Sequence, residues 1–305
     1  MMRISTSQMN NIMLTSMQSS TTGVNKTFIQ LNSGERMLKP SDDPLGAVQL
    51  MMLDREQADI SQFKKNISNL KTQLGQTESH LDASNTAVLR AQELVTGILN
   101  ASNSTMEGRE AIATELDGIL GQLTDIANSK NPNGDYIFAG TKTDTQPIVK
   151  DPATGKYVYQ GNSDQREVQV AESMSIPANQ TADVMFSNGS DNIFNTLDSV
   201  INDLRNPAVD GSNLTSSVTQ AQADIKSTLS SINGALTDVG GQQNSLTMIS
   251  GSHDDNKLIN DKLIGDVKDL DYSQAILELN TQMAALQATQ MTYSKVQNLS
   301  LFKLM

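Results

Sequence analysis

Large apolar side chains recur along this chain at alternating spacings of four and three residues, the pattern of a helix that buries one narrow stripe. Met13, Met17, Ser20, Val24, Thr27 and Leu31 form the first such stripe, with polar side chains in two of its six layers. Gly34 supplies a C-terminal stop and Pro40 prevents resumption. Asp43-Pro44 then sets a capping carboxylate ahead of a proline at the first helical position, so a second helix is predicted from Pro44. From Ile60 the positions Phe63, Ile67, Leu70, Leu74, Thr77, Leu81, Ser84, Val88, Ala91, Val95, Ile98 and Ser102 keep the alternation without a missed step and without proline. At about 1.5 Å per residue that stretch spans roughly 64 Å, whereas a compact chain of this length has a radius of gyration of about 19 Å. Gly75 and Gly97 each cost about 1 kcal/mol relative to alanine and could mark kinks. The unbroken phase favours a rod.

After a break at Asn103–Gly108, the residues Ile112, Leu116, Ile119, Leu123 and Ile126 carry a shorter helix to near Asn131-Pro132. The pattern then changes. Tyr136–Ala139, Lys156–Tyr159, Glu167–Val170 and Ala182–Phe186 are β-rich or alternating, with Asn133-Gly134, Thr154-Gly155 and Gly161-Asn162 as turns. Helical period returns over Ile193–Leu204 and continues through Ile225, Leu229, Ile232, Leu236, Val239, Gln243 and Leu246. A last run, Leu263, Val267 and Leu270, passes Asp271 into Ile276, Leu279, Met283, Leu286, Gln290 and Tyr293.

The predicted fold class is mainly α, an elongated helical bundle or coiled-coil rod with a small β-rich insertion. Long helices on both sides of one insertion pair most simply with each other. Residues 1–43 with 271–305 are then terminal coiled-coil segments, 44–132 with 191–270 the long-helix rod, and 133–190 a β-rich outer domain at the far end.

Charge sharpens that division. The 305 residues carry a net charge of −12, with 37% hydrophobic and only 4% aromatic side chains, and neither cysteine nor tryptophan. Residues 1–33 have only Arg3 and Lys26 as charged side chains, and 273–305 only Glu278, Lys295 and Lys303, so the middle holds the acidity. Disordered tails are ordinarily charged and poor in large apolar residues, and these ends are the reverse. A stripe containing Ser20, Thr27 and Gln290 buries too little to hold a lone helix pair rigid, so the ends are expected to be loose in the monomer and ordered on polymerisation. The acidic balance speaks against nucleic acid or an anionic membrane as partner. No apolar run reaches the roughly 18 residues of a membrane span, and the N-terminus lacks a signal-peptide apolar core.

Candidate chemistry is sparse, and no cofactor or metal is expected. His80 and His253 are followed four residues later by Ser84 and Lys257, not by metal ligands, and both are predicted to be solvated helix surface. Asp269 and Asp271 begin a calcium-loop spacing, but Gln274 replaces the glycine and Asn280 the closing glutamate. Asp42 and Asp43 read as a helix cap, not as a catalytic pair. Gly234–Gly241 lacks a phosphate-loop lysine and a preceding strand. The Asn-X-Ser/Thr sequences at Asn66 and Asn179 are expected by chance. Methionine is abundant, fifteen residues, and Met13, Met17 and Met283 lie on helical seams where a flexible thioether suits adaptable packing.

Several segments then point one way. Leu31-Asn-Ser-Gly-Glu-Arg-Met-Leu-Lys-Pro-Ser-Asp-Asp-Pro-Leu-Gly46 resembles the N-terminal motif of the flagellin-like family, with Ser33, Gly34, Arg36, Pro40, Asp42, Asp43 and Pro44 as its matching positions. Its Lys39–Pro44 form is similar to that of hook-filament junction proteins, the hook-associated protein 3 branch. Met2–Thr6 resembles the family's usual start, which makes Met1 an extra residue. Asn133–Thr141, containing Tyr136, Phe138 and Gly140, is similar to the strand that opens the family's β domain. Ala285–Ala288 through Leu299–Phe302 resembles the branch's C-terminal helix.

The resemblance implies a structural subunit and no enzyme, secreted by flagellar type III export and placed where the hook meets the filament. It implies as partners the first hook-associated protein, flagellin, copies of itself in a ring, and an export chaperone on the C-terminal segment. Terminal segments would form an inner coiled-coil layer and the β domain would face outward. Met13, Met17, Val24, Leu31, Ile276, Leu279, Met283, Leu286 and Tyr293 are the residues expected in that inner packing. One alternative is flagellin itself, against which stand Pro40, Pro44 and the Leu-Ser-Leu-Phe ending. Another is a helical binding module, which would require a pocket of convergent polar and aromatic groups within 133–190.

Overall fold

The computed structural model describes residues 6–98, 105–186, 191–209 and 211–301. Met2–Ser5, Ser102, Asn103 and Phe302 lie outside the described residues. In chain order the elements are α1 (Thr6–Ser33), α2 (Pro44–Ile98), α3 (Met106–Ala127), β1 (Ile148–Lys150), β2 (Tyr157–Tyr159), β3 (Glu167–Ala171), β4 (Met174–Pro177), α4 (Ala182–Phe186), α5 (Ile193–Arg205), α6 (Gly211–Lys268) and α7 (Tyr272–Leu301). The fold is mainly α, with two small sheets. The chain divides into two compact units, Met1–Asp59 with Asp254–Met305, the terminal unit, and Ile60–His253, the central unit.

In the central unit the heptad is strict. Ile60, Ile67, Leu74, Leu81, Val88 and Val95 on α2 are buried at an unbroken interval of seven, as are Val218, Ile225, Ile232, Val239 and Leu246 on α6. A sustained seven-residue repeat keeps one seam facing its partner through a left-handed supercoil. Gln222 donates to Thr96 at 3.4 Å and Gln243 to Glu78 at 2.8 Å, which sets the two helices antiparallel. Thr77 and Ser84 are buried in the seam and return their hydroxyls to the carbonyls of Gln73 and His80, so neither is left unpaired.

Helices α3 and α5 pack together, with Arg205 reaching Glu110 at 3.4 Å and Asp117 at 3.3 Å. Thr105 caps α3 and Asn192 caps α5. The apolar face of α5 carries Phe194, tilted against Phe186 at 5.2 Å and Tyr157 at 5.9 Å. Strand β1 pairs antiparallel with β2, and β3 with β4 through an irregularity between Gln169 and Ala171.

Four expectations require correction. Ala182–Phe186 is the short helix α4, not a strand, because Thr181 accepts the Met185 amide and Asp183 sits in the first turn. Tyr136–Ala139 makes only isolated bridges, Tyr136 to Lys130 and Ala139 to Thr181. It lies between Gly134 and Gly140, both at positive φ, and its amides bond to Thr143 and Ser129 instead of to a neighbouring strand. Neither histidine is solvated surface: His253 is 7% exposed, stacks on Phe63 and has Nε2 2.7 Å from the Val170 carbonyl. His80 is half-buried, edge-on to Phe138, and burial pushes its pKa down. The β3–β4 hairpin does not project beyond the helices, since Asn66 donates to Gln169 at 2.8 Å and His253 meets Val170, which seats the hairpin on their flank.

The loop resembling a family strand is a locked turn. The Asn162 side chain accepts from the Thr141 amide at 2.8 Å, and the Tyr159 hydroxyl donates to the carbonyls of Phe138 and Asn162. Burial pushes the Tyr159 pKa far above the usual phenol range, so this donor stays protonated. Gly140 has φ +73°, and a Cβ there would lie 2.1 Å from the Asn162 carbonyl oxygen. Gly75, by contrast, is an exposed helical position with open space around it. Gly140→Ala is expected to lower the stability of the chain by about 2 kcal/mol or more, and Gly75→Ala to raise it by about 0.5–1 kcal/mol. Opposite shifts in denaturant midpoint check both, and a neutral Gly140→Ala would refute the steric account.

Candidate functional site

The terminal unit differs from the central one in where its apolar side chains lie. Among the described residues, forty of the forty-two buried apolar side chains belong to the central unit, and only Leu53 and Ala275 to the terminal unit. Seventeen of the twenty-two exposed large apolar side chains lie in the terminal unit. Folded units of ordinary monomers do not show this inversion, and contiguous exposed apolar surface marks a surface that is covered in use.

Helices α1 and α7 pack antiparallel, with Gly34 close to Tyr272 at one level and Gly23 and Thr27 close to Gln282 at another. On α1 the seam is Met13, Met17, Ser20, Val24, Thr27 and Leu31; Thr27 is 2% exposed and the others are half-buried. On α7 it is Ala275, Leu279, Gln282, Leu286, Thr289 and Tyr293, with Ala275 buried and the others half-buried. Thr27 donates to Gln282 at 3.3 Å. Ile276 and Met283 are not in this seam. They are 49% and 44% exposed, and Ala275 and Gln282 take the layers assigned to them from sequence. The reason is steric: a Cβ on Gly23 would stand 3.0 Å from the Gln282 amide oxygen, so the helices approach where side chains are small or slender.

Further apolar side chains stand outside the seam. Ile12, Phe28 and Ile29 on α1, Leu45, Val48, Met51 and Met52 on α2, and Leu277 and Met291 on α7 are 49% exposed or more. Helices α1 and α7 carry Lys26, Glu278 and Lys295 as their charged side chains. Such surfaces can meet identical copies without like-charge repulsion.

The turn between α1 and α2 is built by the Ser33–Pro44 motif. Gly34 takes φ +73°, the left-handed conformation that ends a helix. Arg36 joins three elements: its amide donates to the Lys268 carbonyl at 2.8 Å, Nε and Nη2 donate to the Val267 carbonyl, and Nη2 meets Asp43 at 3.0 Å. One guanidinium thus ties the last turn of α6 to the carboxylate that caps α2. Asp43 accepts the Gly46 amide at 3.0 Å, and a Cβ on Gly46 would fall 2.7 Å from that carboxylate. Asp42 accepts from the amides of Leu38 and Lys39 and pairs with Lys26 at 3.0 Å. Pro40 lies exposed in the loop. Asp271, the other half of the discarded calcium reading, accepts the amides of Ser273 and Gln274 and caps α7.

Tyr136 lies under the Lys130 ammonium at 4.5 Å, and Phe138 and Gly140 are buried in the locked turn. A cleft of about 1090 Å³ opens beside α5, but its lining has no aromatic side chain, and its carboxylates are engaged, Asp191 by Asn195, Asp198 by Lys150, Asp203 by Ser217 and Asp224 by Thr196. Among the described residues no group of three or more histidines or carboxylates is placed to hold a metal ion, and no helix is long and apolar enough to cross a membrane.

Hydrogen bonds from Lys26 hold the Asp42 pKa below its ordinary 3.8, and those from the Gly46 amide and Arg36 do the same for Asp43. A depressed carboxylate stabilises the fold fully above its unfolded value, and the contribution is lost as pH falls through the lower folded value. Amide exchange at Leu38, Lys39 and Gly46, corrected for intrinsic rate, is therefore expected to accelerate below about pH 3.8 while the core amides near Leu81 stay protected. Unchanged protection of these three amides at pH 2 would overturn the capping assignment.

Residues 4–143 match the family profile of the bacterial flagellin N-terminal helical region. Flagellar hook-associated protein 3 of Escherichia coli (strain K12) is 32% identical, with 90% of each chain covered, and its namesake in Salmonella typhimurium (strain LT2) is 32% identical with 99% of each covered. A solved structure from Vibrio parahaemolyticus, assigned to a flagellar hook-associated protein, is 34% identical with TM-score 0.69, covering 75% of this chain and all of that one. The flagellar junction protein FlgL from Legionella pneumophila shares the fold, at TM-score 0.60 and 20% identity over 72% of this chain and all of that one.

Proposed function

Because the chain belongs to the flagellar hook-associated protein 3 family, whose members are structural components of the flagellum, we propose that it is the junction subunit joining the hook side to the flagellin filament. It works as a mechanical adaptor and performs no catalysis. The observation that carries this reading is the inversion of apolar exposure in the terminal unit. A unit whose described residues include two buried apolar side chains and seventeen large exposed ones reaches its stable packing only inside an assembly.

On this reading copies of the chain form a ring, with α1 and α7 in its inner layer and residues 133–190 toward the outside. One rim contacts the first hook-associated protein and the other contacts flagellin, through head-to-tail interfaces whose partners differ above and below. Before assembly the chain is exported by the flagellar type III route, with a chaperone covering the C-terminal segment, which shields apolar side chains such as Leu277 and Met291.

Deleting the gene is expected to leave hooks intact and to release flagellin into the medium unassembled. Assembled filaments in that strain would refute the reading. Ile276 and Met283 give a residue-level check. Both are exposed in the single chain, so the paired substitution Ile276→Glu and Met283→Glu is expected to leave its circular dichroism and melting temperature unchanged while abolishing motility. Full motility of that variant would remove these two residues from the inner packing.

A further inference from the structure

The exposed apolar surface of the terminal unit is rich in sulfur. Among the described residues eight methionines are exposed, and five of them, Met9, Met51, Met52, Met283 and Met291, lie in the terminal unit. Met51 is 72%, Met52 67% and Met291 63% exposed. Met51 also borders an apolar groove of about 210 Å³, lined by Met37, Leu38, Pro40, Ala47 and Leu50. The chain has no cysteine, so the sulfur atoms that a dissolved oxidant meets are thioethers, and five of the eight exposed among the described residues lie in this unit.

We propose that the terminal-unit methionines are a modification site through which peroxide-class oxidants block assembly of the chain. This rests on the assembly reading above. A thioether sulfur attacks the terminal oxygen of a hydroperoxide, the O–O bond breaks, and the sulfur gains one oxygen as sulfoxide. The sulfur loses two electrons, the peroxide gains them, and with proton transfer the remainder leaves as water from hydrogen peroxide. No further reductant or oxidant enters.

The consequence follows from where the sulfur lies. A thioether is apolar and deformable, which lets one surface pack against neighbours of different shape. A sulfoxide is polar and carries a strong acceptor that would be buried without a donor in such an interface. In the single chain the same oxygen stays in water, so the modification leaves the monomer fold intact. Once assembled, the same methionines are covered and escape the oxidant. The site therefore acts before incorporation and not after it.

The test uses the purified full chain and hooks from a strain that lacks it. Untreated chain, chain treated with hydrogen peroxide, and treated chain then repaired by methionine sulfoxide reductases are each added, and retention on sheared hooks is measured by immunoblot. Mass spectrometry locates the sulfoxides and circular dichroism confirms the fold. The expected result is retention by untreated and repaired chain and at least about a tenfold loss for oxidised chain. If untreated chain is not retained, the assembly reading fails. If oxidised chain, with sulfoxide confirmed at Met51, Met52, Met283 and Met291, is retained like untreated chain, the proposal fails. In a variant with leucine at those four positions, retention is expected to be the same before and after peroxide treatment. Loss of its retention on peroxide treatment would place the sensitive group elsewhere and overturn the proposal.

Discussion

Ser20, Thr27, Gln282 and Thr289 occupy four of the twelve positions in the seam between α1 and α7, and those hydroxyl and amide groups govern how far the helix pair can close on itself. An aliphatic side chain fully buried at each layer would add roughly 1.5–3 kcal/mol. The polar layers forgo that and leave most of the other seam residues half-exposed. Helices of this length held by so thin a seam depend on tertiary contacts beyond the pair. The apolar side chains on their outer faces, Ile12, Phe28, Ile276 and Leu277 among them, are exposed and available for such contacts.

The central unit solves the opposite problem. Its α2 and α6 seams are aliphatic at every seventh residue, the buried Thr77 and Ser84 hydroxyls bond within α2, and its β hairpin is pinned by Asn66 and His253. It can therefore remain folded while its neighbour in sequence changes surroundings. Within the terminal unit, Arg36 stands in the turn between α1 and α2, beside the last turn of α6. By holding the Val267 carbonyl and Asp43 together it fixes the spacing of α6 and α2 at that level without using any apolar side chain. A junction built from charge-assisted hydrogen bonds keeps the nearby apolar surface free for other partners.

The sequence made the helical stripes legible because a repeat of seven is a local property, carried by residue type alone. Asp43, Pro44 and Gly34 marked their boundaries for the same reason, since caps and left-handed turns are set by a few consecutive residues. What failed was tertiary. Alternation in Ala182–Phe186 fits a strand, yet Thr181 and Asp183 start a helical turn there. His253 looks solvated by its neighbours in sequence, and only the hairpin of β3 and β4 together with Phe63 covers it. Asn66 and Asn179 carried no signal beyond a chance tripeptide, although one holds Gln169 and the other accepts the Arg166 amide. The α7 seam was misplaced because hydropathy prefers Ile276 and Met283, while the close approach at Gly23 admits Gln282 and the small Ala275 is the buried residue one heptad before it. That error is informative. The more hydrophobic residue of each adjacent pair is the one left outside the chain's own packing.

Net charge then constrains what kind of neighbour can cover that surface. Identical chains cannot complement one another in net charge, so any face that packs against its own copies is favoured when nearly neutral. Acidic faces that approach their copies closely are penalised, and more so as water is excluded between them. Lys26, Glu278 and Lys295 are the charged side chains along both described terminal helices, whereas all of the net negative charge belongs to the remainder of the chain. A partner of opposite charge would have favoured a charged face in return. The terminal helices offer none, and their chemistry, apolar, amide-rich and neutral, matches surfaces of its own kind.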